Sequence, residues 1–332
     1  MSPLPFPNAT EAFHCGVTDI YQNGAITQSS LDPSSPGSHF GTKPRMMIEQ
    51  LCYQFAISDP CARLVVMKGR KTNPIFAVAN ALWILSGRDD VDFIAYYNQI
   101  GKKFSDDGLT LYGAYGRRLF HGCRINQVAK VIERLKLDPS SRRAIAVVAQ
   151  PRDASSNSRD VPCLMSVQFL FRLGRLDMVS HMRSQSACMV MPYDLFALMF
   201  LHEAVCMELN ILPGVYRHVA TSFHYYLDEE EIVRKVVNEN MKMVQEDMSN
   251  TFPPRMDVQS SPFEDVVEVL KIADSIRLDG MLPKDIEGAK VSEYWKGILF
   301  LLGLQTWGKN DYALARIPEY YKSALDFSPH CT

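Results

Sequence analysis

Val161-Pro162-Cys163 closes a polar stretch and opens an apolar one, and here this chain has the means for nucleophilic chemistry. Proline fixes the backbone at 162 and leaves the thiol at the mouth of the strand that follows. A lone cysteine is most often core; what singles out Cys163 is its company. Arg142-Arg143 precedes it and Arg183-Ser184 follows it at nearly equal spacing. Guanidinium groups near a sulfur favour thiolate, the reactive form. Arg142, Arg143, Arg183 and Ser184 together have the donors to hold a phosphate dianion, the arginines as bidentate forks and the serine through its hydroxyl. A solvated surface pair is the plain alternative for Arg142-Arg143. Arg183 leads into a buried helix, where burial without an anion is costly.

The strings around Cys163 also carry a resemblance. Residues 162–169 read PCxxxxQF, Arg183-Ser184 comes next, then Pro192-Tyr193-Asp194, then His224-Tyr225-Tyr226. The set resembles the thymidylate synthase family, whose motifs run PCxxxxQF, RSxD, PFN and HIY. The spacing from Cys163 to His224 matches without a gap, and the RR pair matches with one residue inserted before the cysteine. Leu82-Trp83-Ile84-Leu85-Ser86-Gly87 resembles the family's LWFLxG helix, and Tyr115-Gly116 its VYG turn. The similarity runs over about residues 45–265. The resemblance implies that Cys163 adds to C6 of a pyrimidine ring. It implies that Arg183 and Ser184 hold the 5′-phosphate of a pyrimidine nucleoside monophosphate, and that Arg142 and Arg143 reach the same phosphate from the partner in a homodimer. His224 and Tyr226 would bond the sugar, Gln168 would support the site, and 5,10-methylenetetrahydrofolate would donate the carbon.

The departures from the family pattern set the specificity and the outcome. Asp194 stands where the family has Asn. A carboxamide complements uracil, with its O4 acceptor and N3 donor. A carboxyl group accepts from the N4 amino group of cytosine and, with one shared proton, satisfies N3 as well. That proton would stabilise charge arriving on the ring as Cys163 attacks. Asp194 therefore points to CMP or dCMP, as in the phage deoxycytidylate hydroxymethylases and the cytidylate hydroxymethylases of nucleoside-antibiotic (mildiomycin-type) biosynthesis. The alternative role for Asp194 is a helix N-cap. Gly101 falls where the family has a Trp near the folate, and the C-terminus, residues 327–332, lacks the hydrophobic tail that seals thymidylate synthase. Both losses admit water, and water exclusion decides between hydride transfer, giving methyl, and water addition, giving hydroxymethyl. Asn80 replaces a proton-relaying Glu, leaving Tyr115, Asp106 or Asp107 to relay protons. Ser186 replaces a folate-contacting Asp, Val190 a Gly, and Leu164 a His. The nearest string to the family's Arg phosphate loop is His39-Phe40-Gly41-Thr42, with Lys43 and Arg45 as the basic groups. The expected activity is hydroxymethyl transfer; the alternatives are methylation, or a nucleotide-binding homologue without catalysis.

These groups need a sheet and helices to position them. Asn73 caps, and Pro74 begins, a helix that ends at Gly87. A second helix is expected over 91–99, a Gly/Tyr turn over 108–116 and a helix over 125–137. Strands are expected over 143–150, 164–171 and 176–182, the last two joined at Leu173-Gly174, and over 215–226. A buried helix over 193–209 has apolar residues at nearly every turn. His202-Glu203 reads as packing within it, since no second His follows. A helix over 227–243 opens on four acidic residues, and residues 262–327 read as helical. The class is α+β: a mixed sheet covered by helices in one domain, 1–332, with a loose lead-in over 1–44 and a helical extension over 280–332. The 332 residues carry 35 Lys+Arg against 37 Asp+Glu, a balance that argues against a nucleic-acid face. No apolar run is long enough to span a membrane. Eight cysteines without CxxC pairs and no secretory pattern read as reduced, mostly core thiols of a cytoplasmic protein, with no metal site.

Overall fold

The computed structural model describes residues 4–29, 45–248, 251–257 and 261–325. The part of the lead-in over 30–44, with the string His39-Phe40-Gly41-Thr42 and Lys43, and the C-terminal residues 327–332 lie outside them. In chain order the elements are α1 (Ala9–Asn23), β1 (Ala25–Gln28), β2 (Met46–Ile57), α2 (Pro74–Leu85), α3 (Val91–Tyr97), α4 (Tyr115–His121), α5 (Gln127–Leu137), β3 (Ile145–Val147), β4 (Leu164–Arg172), β5 (Arg175–Ser186), α6 (Met191–Leu209), β6 (Leu212–Tyr226), α7 (Glu230–Val237), α8 (Met241–Met248), α9 (Pro262–Leu278), α10 (Glu293–Trp307), α11 (Asp311–Leu314) and α12 (Glu319–Lys322). The class is α+β, as expected.

Six strands form one sheet in the order β1-β2-β6-β5-β4-β3. The β5–β6 pair is parallel and the others are antiparallel. Helix α6 joins that parallel pair and is buried along almost its whole length. It packs on α2, and α9 and α10 close over them. The extension beyond residue 280 is tied back by Tyr320, whose hydroxyl accepts from the Leu64 amide at 2.7 Å. A buried ion pair, Arg63 Nη2 to Glu203 Oε2 at 2.6 Å, sits beneath it. Glu203 also accepts from the Met256 amide at 2.9 Å, so His202-Glu203 is core and no ligand pair.

Local chemistry explains where expectation and structure agree. Asn73 Oδ1 accepts from the Ile75 and Phe76 amides, and Pro74 occupies the first turn of α2. The β4–β5 turn is Leu173-Gly174, both at positive φ (50° and 77°), the twist a two-residue hairpin needs.

Other boundaries move. Helix α5 starts at Gln127 because Asn126 caps it. The Gly/Tyr turn stops short of Tyr115, which opens α4. The strand expected over 143–150 shrinks to Ile145–Val147: the Val148 and Ala149 amides both go to Met165 O, and the Val148 carbonyl is taken by Arg118. The helix expected over 227–243 is broken at 238–240, where Glu239 turns its carboxylate to the Lys68 and Gly69 amides, both at 2.7 Å. The lead-in is not loose over 9–28: α1 buries Phe13, Val17 and Ile20 against the sheet, and β1 pairs with β2. Nor are the thiols mostly core. Cys61, Cys188 and Cys206 are buried, Cys15, Cys52 and Cys123 are exposed, and all the described cysteines are unpaired.

Candidate active site

Cys163 lies in the last residue before β4, with Pro162 buried behind it. The adjacent strand brings up Arg183, whose amide donates to the Cys163 carbonyl at 2.8 Å. The Arg183 guanidinium folds back on the same loop: Nε donates to Pro162 O at 2.9 Å and Nη2 to Val161 O at 2.8 Å. Nη1 has no protein acceptor among the described residues and is free for an anion. Burial pushes the Cys163 thiol up to about 11; the Arg183 charge pulls it down, and Asp194 and Asp160 push it up again. The expectation of a ready thiolate is therefore corrected. One guanidinium, already satisfied by two carbonyls, does not offset burial beside two carboxyl groups.

Asp194 is 7% exposed and stands in the first turn of α6. It does not cap the helix, whose N-cap position is Val190 with no side-chain cap. Instead its Oδ2 accepts from Gln185 Nε2 at 2.9 Å. Burial pushes its carboxyl up to about 6. Tyr115 is half-buried close to Asp194, Cys163 and Asp160, and desolvation holds its phenol well above the usual range. It therefore stays a hydroxyl at working pH, able to orient a ligand but not to take a proton. On β6, burial depresses His224 to about 4, so its ring is neutral. Tyr226 is half-buried beside it, its phenol pushed up by burial and pulled down by Arg45. The Arg45 guanidinium stacks 3.6 Å from the Tyr226 ring centre and pairs with Asp228. Arg45 therefore braces Tyr226. Glu49, directly opposite His224 on β2, accepts from the Ser222 hydroxyl.

Arg142 and Arg143 do not join this cluster. Both are exposed, and Gln168 does not reach the pocket either: its Nε2 donates to the Arg142 carbonyl at 2.8 Å and fixes that backbone. Ser184 sits half-buried opposite Ser222, and Ser186 opposite His224. Asn80 is half-buried on α2 without a side-chain hydrogen bond among the described residues. Val190 is 46% exposed at the start of α6. The two relay candidates in the turn are spent on structure. Asp107 collects the Leu109 and Thr110 amides and the Thr110 and Ser105 hydroxyls, and Asp106 holds Ser158 and the Arg159 amide.

Sequence reasoning passed over Asp160, Gln185 and Glu49. Asp160 had a signal available, a carboxylate three residues before the nucleophile. Ser186 Oγ, Gln185 Oε1 and His224 Nδ1 are buried without a partner, and buried polar atoms do not stay unpaired at no cost. They fit a site that a polar ligand completes.

No helix among the described residues is long and apolar enough to cross a membrane, and no metal-binding cluster occurs among them. A deoxyuridylate hydroxymethyltransferase of Bacillus phage SP01 is 33% identical over 202 residues, covering 55% of this chain and 53% of the relative. A deoxyuridylate hydroxymethyltransferase of Pseudomonas phage M6 is 34% identical over 183 residues, covering 53% and 50%. The chain thus spans about half the length of the curated relatives it matches. A thermostable thymidylate synthase A from Bacillus subtilis shares the fold with a TM-score of 0.57 at 20% identity, over 70% of this chain and 84% of that one. The thymidylate synthase family model matches residues 13–273, from α1 to within α9. With a match over that much of its length, the chain belongs to the thymidylate synthase family, whose members draw their one-carbon unit from 5,10-methylenetetrahydrofolate.

Proposed function

We propose that this chain transfers a one-carbon unit from 5,10-methylenetetrahydrofolate to C5 of CMP or dCMP, with addition of water, to give the 5-hydroxymethyl nucleotide. The observation that carries the reading is the buried Asp194. Gln185 satisfies one of its oxygens, and the other has no protein donor among the described residues. With its carboxyl raised to about 6, it holds or shares a proton near neutrality. It then accepts from the cytosine amino group and serves N3. The folate supplies a carbon at the oxidation level of formaldehyde. The Cys163 thiol loses its proton to solvent and adds as thiolate at C6, the base held by Asp194 favouring that attack by taking up the arriving charge. Arg183 and Ser184 hold the 5′-phosphate, and His224 and Tyr226 hold the sugar. Tyr115 orients the reacting face, and Asn80, Ser186 and Val190 border the folate.

The relatives named for deoxyuridylate share the hydroxymethyl outcome, and Asp194 is the ground for a different base. Arg142 and Arg143, exposed and with no side-chain partner among the described residues, act in trans in a homodimer. The sheet surface supports that assembly: Leu51, Ile145, Val147 and Met165 are exposed apolar residues on β2, β3 and β4. We read the chain as one unit working in the cytoplasm, where its unpaired thiols stay reduced.

The test is product mass after separate incubation with CMP, dCMP, UMP and dUMP. The expected product is CMP or dCMP plus one formaldehyde unit. A gain of one methylene unit, or reaction with the uracil nucleotides alone, would overturn the assignment.

A further inference from the structure

The proposed reaction needs a group to take a proton from the attacking water, and no sequence motif supplies one. The carboxyl groups around Cys163 can be sorted by what they already hold. Asp194 is committed to Gln185 and the base. Glu49 accepts from Ser222. Asp106 and Asp107 tie down the 105–110 turn. Asp160 is different. Its Oδ2 accepts from the Gly113 amide at 2.7 Å, and its own amide donates to Ser158 Oγ at 3.1 Å. Its Oδ1 has no protein donor among the described residues. Unlike Asp194, it is only partly covered in the free protein, so water reaches it.

Its position is fixed from both sides. It lies three residues before Cys163 along the chain, and Gly113 lies two residues before Tyr115. A Cβ at Gly113 would stand 2.2 Å from the Asp160 carbonyl oxygen, so only glycine lets the two loops meet. The carboxylate is thus a strut between the nucleophile and the tyrosine, with one oxygen bonded and the other open.

We propose that Asp160 is the general base for water in the second half of the reaction. Water oxygen bonds to the exocyclic carbon on C5, and the methylene π pair moves into the ring. The C6–Sγ bond then breaks, restoring the C5–C6 double bond and releasing Cys163 as thiolate. The water proton passes to Asp160 Oδ1 and from there to solvent. The surroundings suit that task. Burial and Asp106 raise the carboxyl, while the Gly113 amide, Arg118 and Arg183 lower it, leaving it at about 6. Cys163 and Tyr115 face it as neutral groups. A base poised just below working pH is mostly ionised yet still holds a proton once taken.

This assignment rests on the hydroxymethyl reading, and the experiment separates the two. The full-length protein is incubated with methylenetetrahydrofolate and CMP or dCMP tritiated at C5, and both tritium release and hydroxymethyl product are measured. In the wild type the two run in step, and water addition slows as pH falls through about 6. Asp160→Asn keeps an acceptor for Gly113, so nucleotide binding is retained. Its product formation falls about 100-fold, while tritium release falls far less. An added thiol, which attacks as thiolate and needs no base, then yields the thioether on the C5 carbon. Asp160→Glu recovers part of the product. Asp160→Asn with wild-type product formation, or with tritium and product falling together and no thioether, would overturn the role of Asp160. No tritium release by the wild type with either nucleotide would instead remove the reading beneath it.

Discussion

At the scale of single residues, Asp194 joins specificity to stability. Its folded carboxyl stands at about 6 against a usual 3.8. The stability it contributes is complete below pH 3.8 and is lost as pH rises through 6, because burying the ionised form is costly. Asp194→Asn removes that loss and keeps an acceptor for Gln185. The variant is expected to be more stable than wild type at pH 8, by at most about 3 kcal/mol, with the difference vanishing near pH 4. Denaturant titration at the two pH values measures it. The same substitution is expected to move activity from cytosine toward uracil nucleotides. Unchanged base preference would show that residue 194 does not read the base. Motif spacing made legible that Arg183 on the adjacent strand lies beside Cys163. The protonation state of Cys163 was not, since it depends on burial and on how Arg183 spends its donors on Pro162 and Val161.

At the scale of elements, legibility followed local punctuation. Asn73, Pro74 and Gly87 announce α2 before any contact is known. Strand β2 was invisible. Cys52 takes a left-handed conformation, φ 56°, in the middle of the strand. Gln50 lies opposite buried Phe223 before this kink, and Phe55 and Ile57 face the core after it, so the alternation changes phase and no period of two survives. Leu173 offers a test of the other turn. It is fully exposed at φ 50°, where a branched side chain gains no contact and bears the left-handed penalty. Leu173→Asn is expected to stabilise the protein by about 0.5–1 kcal/mol without altering turnover. An unchanged or lower melting temperature would count against a strained turn.

At the scale of the whole molecule, the proposed homodimer would cover the exposed apolar residues on the sheet and give the exposed Arg142-Arg143 pair a site to enter. Ile145→Asp combined with Val147→Asp is expected to give a folded monomer by sedimentation with little turnover. Mixing inactive Arg143→Ala with inactive Cys163→Ala is expected to recover activity, because one mixed site then carries an intact thiol and an intact partner arginine. No recovery after subunit exchange would place the arginines outside the reaction.

The neutral, half-buried thiol has a further consequence for the protein's chemical lifetime. Peroxides and electrophilic metabolites attack sulfur as the anion. At neutral pH a thiol held at about 11 offers them almost none of it. On the proposed mechanism the nucleophile is then expected to be spared oxidation between turnovers and to be vulnerable only while a nucleotide already covers it.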